Sequence, residues 1–171
     1  MDLDNEHSPE ETETGSDELL SADHLRLPDS ADPLVRLHAL RSWLTRRQKE
    51  TRLELGMIAL DLQNLQQEEQ GGTRLRRREL QARQDRLQAA QERFQSTQQL
   101  LGAYEEAEKL LEECVSHTTV GERLLVEYYL TIEALVEEFA QEHEGERSPR
   151  FVALNDILHR IEQVGILYEE D

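Results

Sequence analysis

The chain has 171 residues, a net charge of −18, and 33% charged but only 5% aromatic residues, a composition typical of long helices rather than of sheets or an enzyme core. A charge balance this acidic argues against nucleic acids and anionic membranes as partners, because a phosphate-facing surface needs clustered lysines and arginines, and the arginine run at residues 74–78 is expected to pair with the acids of the first helix rather than to form a nuclear-import or phosphate-binding patch. No apolar run approaches the ~18 residues of a membrane-spanning helix, the acidic N-terminus is unlike a signal peptide, and the single cysteine excludes an intrachain disulfide framework.

Residues 1–32 form an acidic leader with eleven carboxylates and one arginine. It has too few apolar side chains to offset the entropy lost on ordering, so a disordered tail is predicted. Ser8 precedes a proline, and Ser8 and Thr14 each have an acidic residue three positions later. Both are candidate phosphorylation sites, against the alternative that the tail only keeps the chain in solution. The leader also contains one apolar cluster, formed by Leu19, Leu20, Leu25 and Leu27. This cluster is a short linear motif, a segment that docks on the body, or incidental.

Two long helices are predicted next, over about residues 33–70 and 73–116, with Gly71 and Gly72 between them. Asp32 and Pro33 are a typical helix start. Seven-residue repeats run through Leu37, Leu44, Thr51, Ile58 and Leu65 and then through Leu80, Leu87, Phe94 and Leu101. The repeat loses its phase at the glycines, which favours a chain reversal there and an antiparallel coiled-coil hairpin.

The reversal also predicts a register. If the chain turns between residues 72 and 73, the numbers of opposed residues sum to 145. Residues 53–70 carry a net charge of −4 and would face residues 74–90, which carry +4. Since flanking charges select helix orientation, this match favours an intrachain hairpin over a parallel homodimer. The expected pairs include Leu65 with Leu80, Gln48 with Thr97 and Trp43 with Gly102.

Leu53, Met57 and Leu60 form a second apolar stripe on the first helix, in the half near the turn. The hairpin pairing leaves this stripe without an obvious partner inside the chain. Exposed apolar stripes of this kind bind other proteins, so these three residues are the candidate protein-binding or self-association surface. The alternative is that the third helix or the leader covers them.

Two shorter amphipathic helices are predicted over about residues 120–144 and 149–169, the second starting at Ser148 and Pro149. They are about half the length of the hairpin arms, so they can cover only one end of it, the base, and leave the end at the glycines, the tip, uncovered. The predicted fold is all-α: a long antiparallel coiled-coil hairpin with two shorter helices on a four-helix bundle base. It spans residues 33–171 and follows the disordered tail of residues 1–32.

No catalytic, cofactor-binding or metal-binding residue is predicted, because the sequence has no phosphate loop, paired CxxC motif, HExxH motif or nucleophile elbow. Asp156 and His159 have the spacing of half a di-iron site, but the other half is missing, and both residues are expected on the outer flank of the last helix. Cys114 lies on an apolar stripe and is expected to be a buried small hydrophobe. A protein without enzymatic activity and without a cofactor is therefore predicted.

The predicted function is that of a scaffold or adaptor subunit that binds other coiled-coil proteins in a larger assembly, of the cytoskeletal or centrosomal, kinetochore-like or vesicle-tethering kind. A cytoplasmic location is expected; nuclear localisation and homo-oligomerisation stay open. The alternatives are a stand-alone regulator that acts through its phosphorylated tail and, least supported, a metal-dependent helical-bundle enzyme. A tryptophan, Trp43, in an amphipathic first helix resembles spectrin-type repeats, but the short third and fourth helices depart from that pattern.

Overall fold

The computed structural model describes residues 32–71, 76–142 and 148–165, and over these ranges the chain is all-helical with no strand. Its elements are α1 (Pro33–Gln70), α2 (Arg77–His117), α3 (Glu122–Glu142) and α4 (Pro149–Val164). The predicted all-α class is therefore confirmed. None of the helices in the described ranges is both long and apolar enough to cross a lipid bilayer.

The first residues of α1 and α4 are set by local capping, as the sequence predicts. The Asp32 carboxylate accepts a hydrogen bond from the Leu34 N–H at 2.8 Å, and the Ser148 hydroxyl accepts one from the Phe151 N–H at 3.2 Å. Each helix has a proline at its first position, where the missing N–H would have no intrahelical partner in any case.

Two helix boundaries differ from the prediction by four residues or more. α2 begins at Arg77 rather than at residue 73, after a turn in which the Glu79 carboxylate accepts a hydrogen bond from the Arg76 N–H at 2.9 Å. α4 ends at Val164 rather than at residue 169, because Gly165 has a φ of 84° and leaves the helical conformation. Residues 72–75 and 166–171 lie outside the described ranges.

α1 and α2 lie antiparallel, since low residue numbers of α1 face high residue numbers of α2. All the interhelical ion pairs that define this direction are partly exposed, so each contributes less than ~1 kcal/mol and fixes orientation more than stability. They are Arg41 with Glu112 at 2.7 Å, Arg52 with Glu105 at 2.7 Å and Glu54 with Arg93 at 2.9 Å.

The register of α1 against α2 differs from the predicted one by about two residues. Trp43 packs against Tyr104 and Glu54 pairs with Arg93, and the residue numbers of both pairs sum to 147 rather than to 145. The long Gln48 side chain donates hydrogen bonds to the Tyr104 carbonyl at 3.4 Å and to the Glu108 carboxylate at 2.8 Å, beyond Thr97, its predicted partner. At the tip, Leu80 is 48% exposed instead of covered by a partner.

All four helices share one apolar core at the base. The Trp43 ring packs edge-on against the Tyr104 ring with centroids 6.1 Å apart, rather than over Gly102 as predicted. The Tyr128 hydroxyl donates a hydrogen bond to the Ala107 carbonyl at 2.8 Å and fastens α3 to α2. The members of this core are Leu37, Leu40, Trp43, Leu44, Ala103, Tyr104, Ala107, Leu111, Leu124, Leu125, Tyr128, Ile132, Ala153, Leu154, Ile157 and Ile161.

Burial is much sparser toward the tip. On α1 the last buried residue is Ile58, and on α2 none of residues 77–96 is buried. Since burial of apolar surface is the main favourable term in folding, the base holds most of the stability of the described chain.

Candidate protein-binding surface

Leu53, Met57 and Leu60 lie on the outer face of α1, and each is 61–63% exposed. We call these three residues the α1 stripe. Their spacing of four and three residues places them on one face of the helix. The structure thus brings the three predicted residues together at the surface, and α3 does not cover them, contrary to one of the two alternatives for this surface.

The exposure of the α1 stripe follows from the phase of the helix. Thr51 and Ile58, which are 8% and 3% exposed, lie on the opposite face of α1. At 3.6 residues per turn, a helix that turns Thr51 and Ile58 toward α2 must turn Leu53, Met57 and Leu60 away from it. The same hydrophobic repeat that packs α1 against α2 therefore keeps the α1 stripe in solvent.

Gly56 lies beside the α1 stripe, and nothing in the described part of the chain packs against it. A Cβ atom built on Gly56 would meet nothing within 4 Å. A glycine inside a helix is less favourable than alanine by roughly 1 kcal/mol, yet no described neighbour requires the space. The result is a shallow notch beside Leu53 and Leu60.

Charges of opposite sign lie near the two ends of the α1 stripe. Lys49 is exposed on the base side, and Asp61 and Glu68 are exposed on the tip side. These three side chains make no ion pair within the described residues, whereas Arg52 and Glu54 are paired with α2. The outer face of α1 therefore changes from basic to acidic along its length.

A second polar feature, at the base, was not expected from the sequence. The Arg47 guanidinium donates hydrogen bonds to the Tyr104 hydroxyl at 3.1 Å and to the Asp156 carboxylate at 3.0 Å. The Tyr104 hydroxyl donates to the same Asp156 oxygen at 2.9 Å. Burial and the charge of Asp156 raise the pKa of Tyr104 to about 12. Burial by itself lowers the pKa of Arg47, but the interactions with Tyr104 and Asp156 have a larger effect and raise this pKa.

The Arg47–Tyr104–Asp156 cluster joins α1, α2 and α4. Arg47 Nη2, the Tyr104 hydroxyl and the Asp156 carboxylate are hydrogen-bonded to one another, which indicates that the cluster fastens α4 to the other two helices, whereas the buried Arg47 Nε has no hydrogen-bond partner among the described residues. No local sequence signal predicts a contact between residues 52 positions apart.

The half di-iron spacing does not assemble a metal site. Asp156 is half-buried in the cluster rather than on the outer flank. His159 is exposed, with one ring nitrogen 3.1 Å from the Gln163 amide and the other 3.7 Å from the Glu162 carboxylate. Within the described residues, no three metal-ligating side chains come together.

Cys114 lies in a cleft of about 460 Å³ between the end of α2 and the start of α3. It is partly buried rather than fully buried. Burial and the nearby charge of Glu127 raise the pKa of its thiol, which keeps the thiol protonated at neutral pH and therefore weakly nucleophilic. The lining residues are Leu110, Glu113, Cys114, His117, Thr118, Glu127, Leu130 and Thr131.

The remaining predicted sites fall elsewhere in the chain. Ser8 and Thr14, the predicted disordered tail and the four leader leucines lie outside the described residues. The α1 stripe is therefore the predicted site whose surroundings the structure describes. Comparison of the chain with protein-family models, curated proteins and solved structures found no match.

Proposed function

We propose that this chain is a non-enzymatic scaffold or adaptor subunit that binds other coiled-coil proteins through the α1 stripe. In this proposal α1 and α2 form a coiled-coil hairpin, α3 and α4 complete a four-helix bundle at its base, and residues 1–32 form an acidic leader. Assemblies of the cytoskeletal or centrosomal, kinetochore-like or vesicle-tethering kind use such subunits, and the cytoplasm is the expected location.

The observation that carries the proposal is the exposure of the α1 stripe. Its three large apolar side chains lie within about two helical turns, and each keeps more than 60% of its surface in solvent. Scattered single apolar residues are normal on protein surfaces, but a contiguous row on one helix face is typical of helix-to-helix recognition. Gly56 supports the same conclusion, because no atom in the described ranges occupies the space that its missing side chain leaves.

The test is affinity purification from cells followed by mass spectrometry, with Leu53→Glu/Leu60→Glu beside the wild type. Both side chains are exposed, so the variant should keep its helical circular-dichroism spectrum and its melting temperature while losing its partners. The matched control is Leu80→Glu/Val152→Glu, which changes two apolar residues of similar exposure, 48% and 52%, on other helices. If the stripe variant and the control retain the same partners, binding through the α1 stripe is refuted.

Deleting residues 1–31 tests the alternative of a regulator that acts through its tail. The deletion leaves Asp32, the cap of α1, in place. A scaffold that binds through the α1 stripe keeps its partners after this deletion. Loss of all partners would instead favour the tail, with Ser8 and Thr14 as the phosphorylation sites to substitute next.

A further inference from the structure

Few of the apolar side chains outside the described ranges can reach the α1 stripe. Leu25 and Leu27 precede Asp32 by seven and five residues, so an extended chain carries them at most about 25 and 18 Å from it. Leu53 lies about 32 Å from Asp32 along α1 at 1.5 Å per residue. The leader therefore cannot place its apolar cluster on the stripe as a unit.

The three other segments fail for different reasons. Residues 143–147 carry no apolar side chain. Residues 166–171 follow Gly165, whose carbonyl accepts a hydrogen bond from Arg36 at the start of α1, and the apolar residues among them lie within about 11 Å of it. Residues 72–75 join the tip ends of α1 and α2 and are too few to fold back three turns. Of the leader cluster, only Leu19 and Leu20 can be carried as far as the stripe by an extended chain, and a continuous apolar helix face that matches the whole stripe is available on a second molecule.

A second copy of α1 fits the α1 stripe when it runs in the opposite direction. With the stripes face to face, Leu53 of each copy lies level with Leu60 of the other, and Gly56 of each lies level with Met57 of the other. The space beside Gly56, where a Cβ atom would meet nothing within 4 Å, allows the two helices to approach closely around the larger methionines. A two-fold axis repeats every contact, so the surface is complementary to itself.

The charges on the same face select the antiparallel direction. Lys49 lies at the base end of the stripe, and Asp61 and Glu68 lie at the tip end, all exposed and without an ion pair in the described chain. An antiparallel pair brings the basic end of each copy to the acidic end of the other. A parallel pair would set like charges side by side, which is unfavourable.

We propose that two copies of this chain associate through their α1 stripes, antiparallel, about a two-fold axis at the level of Gly56 and Met57. The proposal rests on the proposed function, since it assigns a partner to the same surface. The three side chains present roughly 700 Å² from both copies together, and flanking polar residues bring the contact near the ~1,000 Å² of the smallest specific interfaces. The dimer should therefore dissociate on dilution.

Sedimentation equilibrium of the full chain over a concentration series tests the association. The wild type should pass from the monomer mass of 19.9 kDa toward twice that mass. Leu53→Glu/Leu60→Glu should stay monomeric, with association weakened at least tenfold, and Leu80→Glu/Val152→Glu should follow the wild type. A wild type that stays monomeric, or a stripe variant that still dimerises, overturns the proposal. The proposed function survives the first outcome if cellular partners still depend on the α1 stripe.

Gly56→Gln should stabilise the monomer and weaken the dimer. A Cβ atom at this position meets nothing within 4 Å, so the dilute monomer should melt at a higher temperature because glutamine favours the helix more than glycine does. The same side chain fills the notch and should weaken the dimer at least tenfold. If Gly56→Gln dimerises as strongly as the wild type, the two α1 helices do not approach closely at Gly56 and that part of the proposal is wrong.

Cysteine cross-linking in a Cys114→Ser background tests the direction. In the antiparallel pair the two copies of Met57→Cys lie beside the axis and should form a disulfide-linked dimer under mild oxidation. The two copies of Lys49→Cys lie about 22 Å apart in the same pair and should stay monomeric under the same conditions. Cross-linking at both positions would show a parallel pair and overturn the antiparallel arrangement.

Discussion

Replacing Arg36 with methionine should lower the free energy of unfolding by about 3 kcal/mol, because charge-assisted hydrogen bonds contribute about 1.5–3 kcal/mol each. Arg36 is 2% exposed in the first turn of α1. Its guanidinium donates hydrogen bonds to the Val164 carbonyl at 2.5 Å and to the Gly165 carbonyl at 2.9 Å. Methionine keeps an unbranched apolar side chain but leaves the last carbonyls of α4 without this donor and removes a positive charge from the negative end of the helix dipole.

The matched control is Arg41→Met, the same substitution one and a half turns later on α1. Arg41 pairs with Glu112 at a site where the two side chains are 39% and 51% exposed, so its loss should cost less than ~1 kcal/mol. Urea unfolding followed by circular dichroism, at a protein concentration low enough to exclude association, gives both free energies by linear extrapolation. If Arg36→Met costs no more than Arg41→Met, the α4 carbonyls do not depend on Arg36 and the reasoning is refuted.

Two further predictions concern pH and the glycines. The unfolded Tyr104 phenol ionises near its ordinary pKa of about 10 and the folded one near 12, so its contribution is present below pH ~10 and is lost as the pH rises through 12. Urea unfolding at stepped pH should therefore show a shallower alkaline decline in Tyr104→Phe than in the wild type; equal slopes would contradict the pKa. Gly56→Ala should stabilise the dilute monomer by about 1 kcal/mol. Gly165→Ala should destabilise it, because Gly165 has a φ of 84° and an added Cβ would collide with Arg36. If both substitutions shift the melting temperature in the same direction, the comparison of the two glycines is refuted.

The features that the sequence predicts well are those encoded within a few residues. Asp32 and Ser148 cap their helices through side-chain contacts two and three residues away, so a short motif contains all the information. The exposure of the α1 stripe was also predictable, because the phase that turns Ile58 inward turns Leu53 and Leu60 outward.

The features that the sequence does not predict depend on distant contacts. The register of α1 on α2 is displaced by about two residues from the predicted constant sum, to 147 for Trp43 with Tyr104 and for Glu54 with Arg93, because the heptad pattern does not specify the geometry of the turn. α4 stops at Val164 where Arg36, 128 residues earlier, supplies the hydrogen bond. The Arg47–Tyr104–Asp156 cluster likewise joins three helices whose relative positions no periodicity specifies.

The residues that stabilise the fold and the residues of the α1 stripe lie in different parts of the molecule. The core and the Arg36 contact lie at the base, so substitutions in the stripe should change association without unfolding the chain. In the proposed dimer, Asp32 of each copy lies about 36 Å from the two-fold axis, and the two leaders would emerge about 70 Å apart at opposite ends. A partner that binds the leader would therefore meet two widely spaced copies of it, and dimerisation would make the chain bivalent. Bivalent binding strengthens attachment only to targets whose own sites match that spacing. The Leu53→Glu/Leu60→Glu variant should therefore bind a single molecule of the leader's partner as the wild type does. It should bind an ordered array of that partner more weakly than the wild type.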